Sequence, residues 1–200
     1  MLISHSKRFV FLANPKTGSV SVQAILRPCS EVKSLPEKTP CEVRRASGLH
    51  NHITAPDLVR TFAERGWNWS DYFSFTMIRN PWDRIVSAYE YGRRNVETMA
   101  HEQVAAAGSF AQFAACAPVR LIERHAFDSE GRRLVGEIVR LEDIAVELPR
   151  ILKMLGIPFA KIPHRNATDR GHYRDYYDDE TREAVARSYA RDIEIGGYCF

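Results

Sequence analysis

The chain has no glycine before Gly18, so its first strand-to-helix turn lacks the G-x-x-x-x-G-K-[ST] order that wraps nucleotide triphosphates. None of its four cysteines, Cys29, Cys41, Cys116 and Cys199, forms a C-x-x-C pair, and their spacing suggests no metal knuckle. Without a disulfide framework a reducing compartment is the expectation, and no metal is expected. No apolar run approaches the ~20 residues of a membrane span. Residues Met1 to Arg8 lack the apolar core of a signal peptide, so a cytoplasmic location is expected. There is no internal repeat. The charge bias is too weak to argue for nucleic acid, which would want a concentrated basic face. The net charge is only +3. It is uneven: residues 1–100 hold 14 Lys and Arg against 9 Asp and Glu, and residues 101–200 hold 14 against 16. That bias fits a small polyanionic ligand.

What is present is a single domain's worth of chain, residues 1–200, with 44% hydrophobic content and so enough to bury a core. Phe9 to Leu12 is an apolar run of strand length, and the helical segment Val20 to Leu26 follows it closely. Between them stands Asn14-Pro15-Lys16-Thr17-Gly18-Ser19-Val20-Ser21. A helix N-terminus has N–H groups without partners and a dipole that favours anions. Gly18 allows close backbone approach. Lys16 adds a mobile positive charge, and Thr17, Ser19 and Ser21 add donors.

Residues 28–48 show little periodicity and read as a loop. Thr54-Ala55-Pro56-Asp57 opens a helix, with Thr54 as cap. Tyr72 to Ile78 is a second strand. It leads into Arg79-Asn80-Pro81, where Asn80 suits an N-cap and Pro81 the first helical position. In that helix Trp82, Ile85, Val86 and Tyr89 share one face, and Arg84, Ser87 and Tyr91 another. Residues 97–118 read as indistinct helix, a lid or an acceptor wall. Leu134 to Leu141 is a third strand. Glu142 onward is helical despite Pro149. The stretch 160–177 is loop-like, and one last helix runs from Asp178 to about Ile193. Strands alternating with helices imply an α/β fold, a central parallel sheet flanked by helices.

Two motifs then carry a family resemblance. Pro15-Lys16-Thr17-Gly18-Ser19-Val20-Ser21 resembles the 5′-phosphosulfate loop of sulfotransferases that use 3′-phosphoadenosine 5′-phosphosulfate. Arg79-Asn80-Pro81-Trp82-Asp83-Arg84-Ile85-Val86-Ser87-Ala88-Tyr89 resembles their 3′-phosphate signature, R-[ND]-P-x-x-R-x-x-S-x-Y. The two stand in the family's order, about sixty residues apart. The resemblance is to the carbohydrate type, especially the branch with the 2-O-enzymes and many bacterial relatives. The resemblance implies a P-loop-like three-layer domain in which Lys16, Thr17, Gly18, Ser19, Val20 and Ser21 wrap the 5′-phosphosulfate. It gives the 3′-phosphate to Arg79 and Ser87, and a closing loop to Arg165-Asn166-Ala167-Thr168, with Asn166 and Thr168 as nucleotide contacts.

His50-Asn51-His52 resembles the His-x-His of the 2-O-enzymes. It implies His52 as the base for the acceptor hydroxyl, with His50 as helper or alternative. Histidine's ordinary pKa of about 6.5 suits the role. A glutamate base occurs elsewhere in the superfamily, and Glu64 and Glu90 are alternatives outside any matching motif. The implied acceptor is a small molecule or saccharide, by family default a carbohydrate. Trp67, Trp69 and Tyr91 are candidates to frame a sugar. Two other readings differ in kind. A P-loop kinase needs a Mg²⁺-binding acid where the second strand ends in Arg79. A non-catalytic module binds adenosine 3′,5′-bisphosphate and transfers nothing.

Overall fold

The computed structural model describes residues 1–35, 39–116, 121–158 and 170–200. Along the chain run β1 (Leu2–Ser4), β2 (Phe9–Leu12), α1 (Ser19–Leu26), β3 (Val32–Lys33), α2 (Cys41–Ser47), α3 (Ala55–Glu64), β4 (Phe73–Ile78), α4 (Pro81–Arg94), α5 (Met99–Ala107), α6 (Phe110–Cys116), α7 (Ile122–Ala126), β5 (Glu137–Arg140), α8 (Ile144–Met154), α9 (Asp179–Ser188) and α10 (Ala190–Gly196). They gather into two compact units, Met1–Ile78 with Ile122–Arg165, and Arg79–Leu121 with Asn166–Phe200.

The first unit contains a sheet of order β3-β1-β2-β4-β5. Its centre is parallel: β2 pairs β4 and β4 pairs β5 in the same direction, as helical returns between strands require. The register sets Phe11 beside Phe75 and Met77 beside Val139. Side chains alternate along a strand, so Phe9, Phe11, Phe75, Met77 and Val139 share one face. There they join Val22 and Leu26 of α1 and Leu148, Ile151 and Leu152 of α8 in a single buried cluster. Each fully buried phenylalanine contributes about 2 kcal/mol to holding sheet and helices together. The backbone bond that Pro149 removes from α8 is outweighed by this apolar contact.

The two strands on one side of the sheet, β3 at its edge and β1 next to it, were not legible in the sequence. β1 is three residues long and pairs antiparallel with β2 through a turn in which Arg8 takes φ +53°. Glu31 braces the turn. Its carboxylate accepts from the Ser6 hydroxyl and the His5 amide, and these bonds, Ser6 first, hold its carboxyl down to about 2. β3 is two residues long and exists by pairing with β1. With α2 it places structure inside 28–48, where the sequence predicts a loop.

In the second unit α4 begins as the sequence predicts. Asn80 caps it, its side-chain oxygen accepting from the Trp82 and Asp83 amides at 3.1 and 3.4 Å, and Pro81 follows. α4 and α5 approach closely at Gly92, where a Cβ would lie 2.5 Å from the Ala100 carbonyl. Phe110 and Phe113 of α6 pack against Tyr89, so the described part of this stretch is two helices, α5 and α6, with their own packing. The last predicted helix is two, α9 and α10, parting at Tyr189. Arg84 departs from its expected polar face. It is buried and pairs with Asp192 of α10 at 3.5 Å. A buried arginine needs such a partner, and the partner lies more than a hundred residues away.

Candidate functional site

The first cluster begins where β2 ends. Asn14 is buried, and its side-chain amide donates to the Met77 carbonyl on β4 at 3.0 Å. The Thr17 hydroxyl donates back to the Asn14 carbonyl at 2.8 Å and closes the turn. Thr17 is fully buried, and its hydroxyl is engaged in this bond.

Lys16 and Gly18 both take left-handed backbone, at φ +63° and +73°. For glycine this is free. For a lysine it costs about 1 kcal/mol and marks a constrained position. Gly18 caps α1, and the Ser21 amide donates to its carbonyl at 3.1 Å. Ser19 and Ser21 are mostly buried, whereas Val20 is exposed.

A Cβ on Gly18 would sit 2.5 Å from a Leu141 methyl group. Gly18→Ala therefore combines left-handed strain with a clash, though the clash is against a movable side chain. We expect a loss of about 1–2 kcal/mol of stability, measured as a fall in the thermal midpoint. An unchanged midpoint would mean that the turn has another conformation open to it.

His52 joins this cluster. Its Nδ1 lies 2.8 Å from the Ala13 carbonyl, one residue before the loop starts. A carbonyl only accepts, so Nδ1 carries the proton and Nε2 is the basic nitrogen. The hydrogen bond fixes both ring orientation and tautomer. His50 is half-buried, and its carbonyl accepts from the Ile53 amide at 3.3 Å. Between the two histidines, Asn51 takes hydrogen bonds from the Met1 amine at 2.9 and 3.2 Å. Burial, with Arg27 adding to it, pushes that amine down to about 5.

The second cluster lies in the other unit. Arg79 donates from Nε and one terminal nitrogen to a single oxygen of Asp83, at 2.8 and 2.7 Å. The other oxygen of Asp83 takes a hydrogen bond from Arg170. Asp83, Arg170, Gly171, His172 and Tyr173 line an open depression of about 510 Å³. Ser87 is half-buried on α4, one turn beyond Asp83. Asn166 and Thr168 lie outside the described residues. Asp83 and Arg170 were missed in the sequence. The Arg79–Asp83 spacing reads as an ordinary helix ion pair, and no local pattern points to Arg170.

The glutamate alternatives fare differently. Glu64 is exposed at the end of α3. Glu90 is buried and answered by Arg93 at 3.0 Å, the Tyr176 hydroxyl at 3.1 Å and Arg94 at 3.7 Å. Burial, and then the charge of Glu90, raise the Tyr176 phenol. This is a structural knot. Trp67 and Trp69 pack edge-on against Phe62, and the Trp69 indole donates to the Leu134 carbonyl at 2.9 Å. Both tryptophans thus have packing roles. Among the described residues, no three His, Cys, Asp or Glu side chains converge on a metal-sized site. No helix among them is long and apolar enough to cross a membrane.

Comparison with known proteins decides the family. Residues 1–120 match the pattern described as the Sulfotransferase family. The chain belongs to the sulfotransferase family. Mouse sulfotransferase SULT7A1, solved in complex with PAP, shares the fold at a TM-score of 0.61 and 14% identity, over 96% of this chain and 86% of that one. A sulfotransferase from Alicyclobacillus acidocaldarius aligns at a TM-score of 0.47 and 16% identity, over 94% and 92%. No curated protein matches the sequence. The matched span contains both sulfotransferase motifs and the His-x-His. The α/β fold with its flanked, mostly parallel sheet is the one predicted, and it is a sulfotransferase fold.

Proposed function

We propose that this sulfotransferase-family chain acts as a single domain that moves a sulfuryl group from 3′-phosphoadenosine 5′-phosphosulfate to an acceptor hydroxyl on a carbohydrate. One observation carries the reading. The His52 ring is held by the Ala13 carbonyl with Nε2 basic, beside a strained loop that presents Lys16.

The donor set suits a phosphosulfate anion: backbone N–H groups at the start of α1, the hydroxyls of Ser19 and Ser21, and one lysine. Transfer of this kind is expected to be in line and loose, with negative charge collecting on the leaving phosphate. Lys16 would neutralise that charge, and the N–H groups of Thr17, Gly18, Ser19 and Val20 would hold the oxygens around it. Arg79 and Ser87 would hold the 3′-phosphate and so orient the nucleotide. Asn166 and Thr168 would close over it. His52 would accept the acceptor's proton at Nε2 as the oxygen–sulfur bond forms, and His50 would assist. The charge on the donor is met by side chains and N–H groups, so no metal is required.

The test is a screen for transfer of labelled sulfate to polysaccharide, oligosaccharide, lipid and phenol acceptors, with a chelator present. Label in a saccharide, matched by released adenosine 3′,5′-bisphosphate, is the expected result. Label confined to phenols would overturn the acceptor assignment. Tight bisphosphate binding with no transfer to any acceptor would favour the non-catalytic reading.

A further inference from the structure

The structure offers a reason why two arginines lie together in the second unit. We propose that Asp83 is a positioning residue that holds Arg79 and Arg170 as one anion-binding pair for a phosphate monoester. This inference rests on the reading of Arg79 as a 3′-phosphate residue. It adds Asp83, which stands at an unspecified x in the signature, and it links Arg170 to Arg79 through that carboxylate.

The argument is geometric. A guanidinium is a rigid planar fork, and its use depends on how it is rotated. Arg79 stands directly after β4, and two of its nitrogens meet one Asp83 oxygen at 2.8 and 2.7 Å. That two-point contact sets the rotation of the fork. The second Asp83 oxygen binds Arg170, 87 residues further along the chain. One carboxylate is thus divided between two guanidiniums, and the group as a whole retains one positive charge.

The side chains of Arg79, Asp83 and Arg170 are only 14, 21 and 12% exposed, so solvent weakens the pairing less than on an open surface. Asp83 and Arg170 also line the open depression, with Gly171, His172 and Tyr173 completing the wall. A ligand entering there meets Arg170 beside the carboxylate that also holds Arg79. A simpler role exists for Asp83, since an acid in the first turn of a helix is favoured by the dipole alone. It does not explain why the carboxylate is shared with a distant arginine.

The test measures the affinities of adenosine 3′,5′-bisphosphate and adenosine 5′-monophosphate by calorimetry, together with the thermal midpoint. The ratio of the two affinities isolates the 3′-phosphate. Arg79→Ala should collapse the ratio. Asp83→Asn should weaken bisphosphate binding by about tenfold, the worth of a lost charge-assisted contact, and change monophosphate binding by less than about twofold. Asp83→Glu keeps the negative charge at the helix start but displaces it, so it should keep the midpoint and still lower the ratio.

A ratio in Asp83→Asn equal to or above that of the unmodified protein would overturn the proposal, because the carboxylate would then be idle or a competitor of the phosphate. Equal weakening of both nucleotides would also overturn it, as a merely structural effect. If Arg79→Ala keeps the ratio, the 3′-phosphate reading itself fails. If Arg79→Ala collapses it and Asp83→Asn does not, only the role of Asp83 fails.

Discussion

Replacing Lys16 with alanine should lower turnover by about a hundredfold to a thousandfold and leave the fold intact. The size of the effect follows from where charge appears. In a loose transfer the leaving phosphate gains negative charge, and a preplaced cation stabilises the transition state more than the bound donor. The fold should survive because the cost of the left-handed backbone at φ +63° is the same for alanine as for lysine. Arginine should rescue poorly, since a planar fork does not replace a compact ammonium. Steady-state kinetics and circular dichroism check both halves. Near-normal turnover in Lys16→Ala would remove the lysine from the chemistry.

His52→Ala should cost about a hundredfold to ten-thousandfold in turnover, the span of general-base contributions. Its affinity for adenosine 3′,5′-bisphosphate should stay within about twofold of the unmodified protein, because a base meets the acceptor rather than the nucleotide. His50→Ala should cost much less. The expected asymmetry rests on the Ala13 carbonyl, which lies 2.8 Å from His52 Nδ1 and so orients the ring and favours the tautomer with its proton on Nδ1. Equal losses of turnover and nucleotide affinity in His52→Ala would argue for a structural or binding role instead.

Features set by short-range physics could be read directly from the residues. Asn80 and Pro81 at the start of α4 and the helix capped by Thr54 follow from neighbours a few residues apart. The parallel centre of the sheet followed from strands alternating with helices. Other features depend on partners far along the chain. β1 and β3 are too short to show alternation, and they are strands because β1 pairs with β2 and β3 pairs with β1. Arg84 looks like a surface residue until Asp192 is placed beside it. The same holds at the candidate site. Lys16 and Arg79 announce themselves by motif, but Arg170 is brought in by an aspartate that reads locally as a helix-surface acid.

The central claim is that the chain is built for a doubly phosphorylated adenosine carrying sulfate, and calorimetric titration tests it most directly. Adenosine 3′,5′-bisphosphate without metal is compared with ATP in the presence of Mg²⁺. The account predicts that the bisphosphate binds at least about a hundredfold more tightly, a difference of roughly 2.8 kcal/mol. Binding of ATP with Mg²⁺ as tight as that of the bisphosphate, or tighter, would contradict it.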